Sequence, residues 1–276
     1  MDYKIGYKTK PKEIRKNGIV IFTDGTNDIL PNETTCLAYG YKYNDGICRA
    51  YTPTMVTEQK KSSEGTSTLG GSNQTTKSHN TQIVGEGNDV NEVTNSFVVG
   101  EENVIEKNSN NSVVFGSMGK ATHLNEFCIG GGSFNSEAGL TQYSVLQLSN
   151  KSTGTADVDL NLESEATGTE ITLPANSVTT YEIWLSGLVT GGSSGTPGDY
   201  DTMEYHGTIR CGNTGTLTHN AKITRQLGRT GSLATKTIDT ATAYTLKIQV
   251  AGLSNVTSQW HAVVKLHINK TNAVTF

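Results

Sequence analysis

The stretch GDYDTMEYH, residues 198–206, gathers the side chains best suited to chemistry: the carboxylates of Asp199, Asp201 and Glu204, beside Tyr200, Tyr205 and His206. Two acids can hydrolyse a glycosidic bond when held about 5 to 10 Å apart around a cleft. Following the Gly-rich run TGGSSGTPG, the same acids also read as solvated turn residues. Exposed tyrosines on a loop offer flat faces to a sugar or a protein. Binding is therefore the expected use, with Asp199, Tyr200, Asp201 and Tyr205 as candidate receptor contacts, and the chain is expected not to be an enzyme. Trp184 joins them: in VTTYEIWL it falls on the polar face with Thr180 and Glu182, placed either to pack at a subunit interface or to stack on a receptor.

Other chemistry is thin. GSMGKA lacks the first glycine of a Walker loop at the required distance, and no Rossmann phrase or nucleophile elbow occurs. His261 and His267 lie on the outward face of the last strand and read as solvated. Cys36, Cys48, Cys128 and Cys211 include no CxxC pair, which argues against zinc and against a disulfide scaffold. A two-residue turn at Asp45-Gly46 sets Cys48 opposite Tyr43 rather than Cys36, so reduced thiols are expected. No metal or cofactor is expected.

The elements that would position these residues are β-strands. Only 17% of the 276 residues are charged, against roughly 25% in globular domains, and Thr, Ser, Asn and 30 Gly take their place. That balance favours strands and turns, and no segment reads convincingly as a helix. Net charge is −4, with no basic stripe beyond KTKPKEIRK, so nucleic acid is not an expected partner. No apolar run approaches the ~18 residues needed to span a bilayer, and MDYKIGYKTK lacks the apolar centre of a secretory signal. The chain is expected to be made in the cytoplasm and to stay out of membranes.

A repeat organises the middle. Asn80-TQIV-Gly85, Asn95-SFVV-Gly100, Asn111-SVVF-Gly116 and Asn125-EFCI-Gly130 share one form, and a degenerate turn ends at Gly70. Second-half echoes follow at Gly87-Asn88-Asp89-Val90 and Glu102-Asn103-Val104-Ile105. Steps of 14 to 16 residues between glycines mark a solenoid. The period suits a narrow roll of two short strands and two tight turns per coil, in which Gly supplies positive φ and Asn can stack in ladders. Five such coils would make a rod on the order of 24 Å long. Ile83, Val84, Phe97, Val98, Val99, Val113, Val114, Phe115, Phe127, Cys128 and Ile129 are apolar without alternation. One face can fill the roll and the other needs a partner, which three identical rolls would supply. From about residue 141 alternation appears: Tyr181, Ile183 and Leu185 share a face, as do Trp260, Ala262, Val264, Leu266 and Ile268. Short strands with turn-rich loops predict an antiparallel sandwich or jelly roll.

The phrases at 80–130 resemble the repeats in the heads of trimeric autotransporter adhesins, which fold as trimers of left-handed parallel β-rolls. The whole layout is similar to that of phage virion fibres of the head-fibre or tail-fibre kind. CLAYGYKYNDGICRAY resembles their docking segment, which implies attachment through Tyr39, Tyr41 and Tyr43. YSVLQLSNKS, ITLPANSV, YHGTIR and WHAVVKLHI resemble their terminal β-domain. The resemblance implies an all-β homotrimer exposed on a virion: residues 1–60 attach to a capsid or tail protein, 61–139 form the roll, and 140–276 form a distal sandwich that meets a host glycan or protein. The alternatives are a tailspike-type enzyme that degrades surface polysaccharide and a decorative head fibre with no receptor.

Overall fold

The computed structural model describes residues 2–15, 18–44, 46–50, 65–165, 168–230 and 235–276, apart from the side chains of residues 220, 221 and 235. The chain is all-β and divides into two units, residues 1–61 and 62–276.

In the first unit, β1 (Lys10–Ile14), β2 (Val20–Thr23) and β3 (Asp28–Ile29) form an antiparallel sheet. Helix α1 (Glu33–Ala38) follows, and β4 (Lys42–Asn44) pairs with β5 (Ile47–Arg49). The helix corrects the expectation of none. Asn32 caps it by accepting from the Thr35 N–H at 2.9 Å, as a short polar residue does at an N-terminus. The hairpin register sets Tyr43 opposite Cys48 as expected, while Asp45 of its turn lies outside the described residues. The reduced-thiol expectation is corrected too: Cys36 and Cys48 form a disulfide with Cα atoms 5.6 Å apart. Hairpin pairing never had to join them, because α1 carries Cys36 onto Cys48. Phe22 is fully buried and meets the rings of Tyr39 and Tyr41 edge-on at 5.4 and 6.2 Å; Tyr43 packs on the same cluster.

The second unit opens with the roll. Strands β6 (Ser67–Leu69), β8 (Gln82–Glu86), β10 (Phe97–Glu101), β12 (Val113–Ser117) and β14 (Phe127–Gly131) stack in parallel on one side. Strands β7 (Gln74–Thr76), β9 (Asp89–Asn91), β11 (Val104–Ile105) and β13 (Lys120–Ala121) stack on the other. Their register puts like residues in columns. Ile83, Val98, Val114 and Cys128 form one, and Gly85, Gly100, Gly116 and Gly130 another. The first column is buried and fills the roll with Val90, Val93, Ile105 and Ala121. Gly100 shows why its column is glycine: φ is +131°, and a Cβ there would strike the carbonyl oxygen of Gly116. The solenoid makes about four turns rather than five, since after β14 the chain reverses into an antiparallel partner.

Two Asn ladders hold the turns. Asn80, Asn95, Asn111 and Asn125 adopt φ between +51° and +58°, which Asn tolerates better than most residues. Asn80 donates to Asn95 Oδ1 at 3.3 Å and Asn95 to Asn111 Oδ1 at 3.2 Å. The second ladder lies inside, at Asn73, Asn88 and Asn103. Asn103 donates to Asn88 Oδ1 (3.1 Å) and to the Gly116 carbonyl (2.8 Å), and accepts from the Gly119 N–H (2.8 Å). Every polar atom of its buried amide is thus used.

The strand that reverses out of the roll is β15 (Thr141–Ser152). It is followed by β16 (Asp157–Asp159), β17 (Ile171–Thr172), β18 (Ser177–Gly191), β19 (Tyr200–Cys211), β20 (Leu217–Arg229), β21 (Thr235–Asp239), β22 (Thr245–Ala251) and β23 (Thr257–Lys270). One ten-stranded sheet runs β20-β19-β18-β23-β15-β14-β12-β10-β8-β6, so roll and C-terminal strands share a continuous surface. The inward column passes from Cys128 to Ser144, Leu266 and Tyr181 by direct register. A smaller sheet, β16-β22-β17 with β21 also on β22, supplies Ile171, Ile238, Leu246, Ile248 and Val250 to the same core as Leu146, Ile183, Trp260 and Val264.

A buried polar knot lies where the roll ends. The Glu126 carboxylate accepts from the Thr122 N–H (2.7 Å), the His123 N–H (3.0 Å) and the Ser144 hydroxyl (2.5 Å), and lies 3.1 Å from His123 Nδ1. The Thr172 N–H donates to His123 Nε2 at 2.9 Å, which leaves the ring proton on Nδ1, facing Glu126. Burial pushes the Glu126 carboxyl up, but the bonds from His123, Ser144 and Thr122 outweigh it and hold the group below its ordinary value.

Candidate functional site

The segment read as an acidic loop is mostly strand. β19 begins at Tyr200, so its residues alternate between the two faces of the large sheet. Asp201 and Tyr205 point into the core at 0% and 2% exposure, which removes both as receptor contacts. Asp201 is ion-paired with the buried Lys236. Glu204 lies on the opposite, outer face, 2.7 Å from His206 Nε2 and 3.8 Å from Arg225. A sheet therefore separates Asp201 from Glu204, and the three acids do not surround one glycosidic bond. Asp199 precedes the strand, and its carbonyl accepts from the Val189 N–H at 2.8 Å. Glycine-dense flanks hid the strand start, and the cation that neutralises Asp201 arrives 35 residues later.

The outer face does hold a concave feature. A cleft of about 600 Å³ is lined by Ser149, Glu165, Ser186, Leu188, Tyr200 and His261, among others. Parallel alternation on neighbouring strands sets it up: Ser186 and Leu188 on β18, Tyr200 on β19, and His261 on β23 all face away from the core. Glu165, from the segment after β16, forms one wall. Tyr200 and Leu188 are 42% and 46% exposed, giving a flat ring and an apolar step among hydroxyls, an amphipathic mix suited to a sugar ring. Of the expected contacts, Tyr200 alone lines this cleft; sequence reading missed Glu165, Leu188 and His261 because the strands that unite them are distant in the chain.

Trp184 projects from the same outer face, 52% exposed. Lys265 Nζ sits 5.3 Å from its ring centroid and 3.3 Å from Glu182 Oε2, so a cation covers part of the indole. Along the roll, outer columns carry Phe97, Val113 and Phe127, and then Val84, Val99, Phe115 and Ile129. Phe97, Phe115 and Phe127 meet at 5.8 and 5.7 Å. Phe127 and Ile129 are 38% and 41% exposed. Among the described residues no cluster of His, Cys, Asp and Glu has metal-binding form, and no helix is long and apolar enough to cross a membrane.

No family model matches the chain, and no curated protein does. Solved structures similar to it include the tailspike protein of Acinetobacter phage vB_ApiP_P1, at 10% identity over 74% of this chain and 47% of that one, with a TM-score of 0.24. Another is tailspike gp49 of Acinetobacter baumannii bacteriophage Fri1, described as a capsular polysaccharide depolymerase, at 9% identity over 72% and 40%, with a TM-score of 0.29. The tailspike of Acinetobacter baumannii phage AM24 is 9% identical over 70% and 40%, with a TM-score of 0.24. The chain spans less than half the length of each. The expectation of a non-enzymatic chain is corrected by these neighbours, one of which is described as an enzyme, and it is set aside.

Proposed function

We propose that this chain is a fibre-type component of a phage virion, of tailspike character, that engages surface polysaccharide through the outer face of its large sheet. In this reading residues 1–60, with Tyr39, Tyr41 and Tyr43, attach to the particle, the roll is a spacer, and residues 140–276 form a distal sandwich domain. The carrying observation is the pair of apolar columns on the outside of the roll, incompletely buried along its length and most open at Phe127 and Ile129. Stacked aromatic and β-branched side chains in register form an elongated patch, the kind of surface that soluble chains cover with a partner. Three copies about a common axis bury it, as the resemblance to adhesin heads implies, and repeat each cleft three times, so that weak contacts act together. Sedimentation of the full chain at micromolar concentration is expected to give a trimer; a monomer overturns this assembly.

The cleft is where polysaccharide contact and cleavage are sought. Glu165 is one carboxylate among its lining residues, and His261 is a second titratable group. Incubation with host capsular polysaccharide is expected to show retention of the sugar by the wild-type chain and at least tenfold weaker retention by Tyr200→Ala. Release of reducing ends that disappears in Glu165→Gln places a depolymerase in this cleft. Neither retention nor release overturns the polysaccharide reading.

A further inference from the structure

The contact between Asp201 and Lys236 differs from every other lysine ion pair among the described residues. Its side chains are 0% and 7% exposed, whereas the other lysine pairs have at least one partner exposed by about a fifth or more. It also joins two sheets: Asp201 lies on β19, opposite Gly187 of β18, and Lys236 lies on β21, opposite the fully buried Val250 of β22. The packing beside Asp201 is tight, since a Cβ at its strand partner Gly187 would strike the Trp260 ring. Two full charges in such a place are costly, and a neutral product of the two groups is favoured over them.

We propose that Lys236 Nζ and Asp201 Cγ condense after folding into an intramolecular amide that fastens β21 to β19. The geometry divides the two carboxylate oxygens by role. Oδ1 accepts from Gln226 Nε2 at 2.7 Å, while Oδ2 faces Lys236 Nζ. A proton passes from the ammonium to the carboxylate, giving an amine and an acid. The Nζ lone pair then adds to Cγ, and charge develops on Oδ1, where the Gln226 N–H is already aimed. The Cγ–Oδ2 bond breaks, Oδ2 leaves with the transferred proton and a second Nζ proton as water, and Oδ1 remains as the amide carbonyl. Ammonium and carboxylate thus become one amide and one water, with no oxidant or activated co-reactant. Proximity between two buried side chains replaces the activation that amide formation needs in solution. Tyr205 lies near enough to feel Asp201: burial and that charge push its phenol up to about 12, so it keeps its proton at neutral pH.

This inference stands apart from the proposed function and is decided by mass. The full-length chain, folded, purified, reduced and denatured, is expected to be one water lighter than its sequence requires, while Lys236→Arg has its full mass. Trypsin is expected to leave the chain uncut after Lys236 and to yield one branched peptide containing both Asp201 and Lys236. In Asp201→Asn the same condensation expels ammonia, so that variant is expected to reach the wild-type mass. A wild-type chain at full sequence mass overturns the proposal. So does a water deficit that persists in Lys236→Arg. If either variant fails to fold, the wild-type mass and the branched peptide decide alone.

Discussion

At the scale of single residues, the inner Asn ladder concentrates the stability of the roll in a few amides. Asn103→Ala strands the buried Gly119 N–H and takes a donor from the Gly116 carbonyl, and at ~1 to 3 kcal/mol for an orphaned buried group it is expected to cost about 2 kcal/mol, read as a lower urea midpoint. Gly100→Ala must move the Gly116 carbonyl and adopt a left-handed φ, so its cost should exceed ~4 kcal/mol, the range reserved for backbone strain with a clash. Glu126 adds a pH dependence with a definite sign. Its carboxyl is held below the ordinary value when folded, so its contribution is complete above the unfolded value, roughly 4.3. It is lost as pH falls through the lower folded value. Urea midpoints taken downward from neutral pH are expected to decline on the acid side of that value, and Glu126→Gln should flatten the decline while lowering the neutral midpoint.

At the scale of elements, legibility followed periodicity. The Asn and Gly phrases marked the roll because each coil repeats the same conformational demand at the same place, and the alternation of Tyr181, Ile183 and Leu185 marked β18 with its inner face. Helix α1 left no such trace, since six residues cannot complete two turns of a 3.6-residue period. With it went the disulfide, which exists because the helix delivers Cys36. The inner Asn ladder was partly visible as an echo at Asn88 and Asn103, but nothing in the sequence says which of two Asn columns is dry. The burial of Asp201 was hidden for a related reason: its partner Lys236 lies on β21, a distant strand. Replacing Cys36 and Cys48 with Ser is expected to destabilise the first unit by about 3 kcal/mol, the entropy of a loop of this order, read as faster amide exchange at Phe22.

At the scale of the molecule, one sheet couples the roll to the C-terminal strands through Cys128, Ser144 and Leu266. Calorimetry of the full chain is expected to show residues 62–276 melting as one transition, because one hydrogen-bonded sheet runs from β6 to β20 through both parts. Charge placed on the outer columns should act on assembly rather than folding: Phe115→Asp is expected to shift the sedimenting species toward monomer while preserving the β-sheet circular dichroism of the wild type.

Stacking in register has a further outcome for how such a stem changes over generations. Each coil offers the next one the same donors, acceptors and apolar plug, so a tandem duplication of about fifteen codons inserts a floor between existing floors, lengthening the stem by ~4.8 Å. Deletion shortens it by the same amount without exposing a new interior. Reach can therefore drift by whole steps through ordinary recombination errors, while the parts at either end keep their own sequences and surfaces.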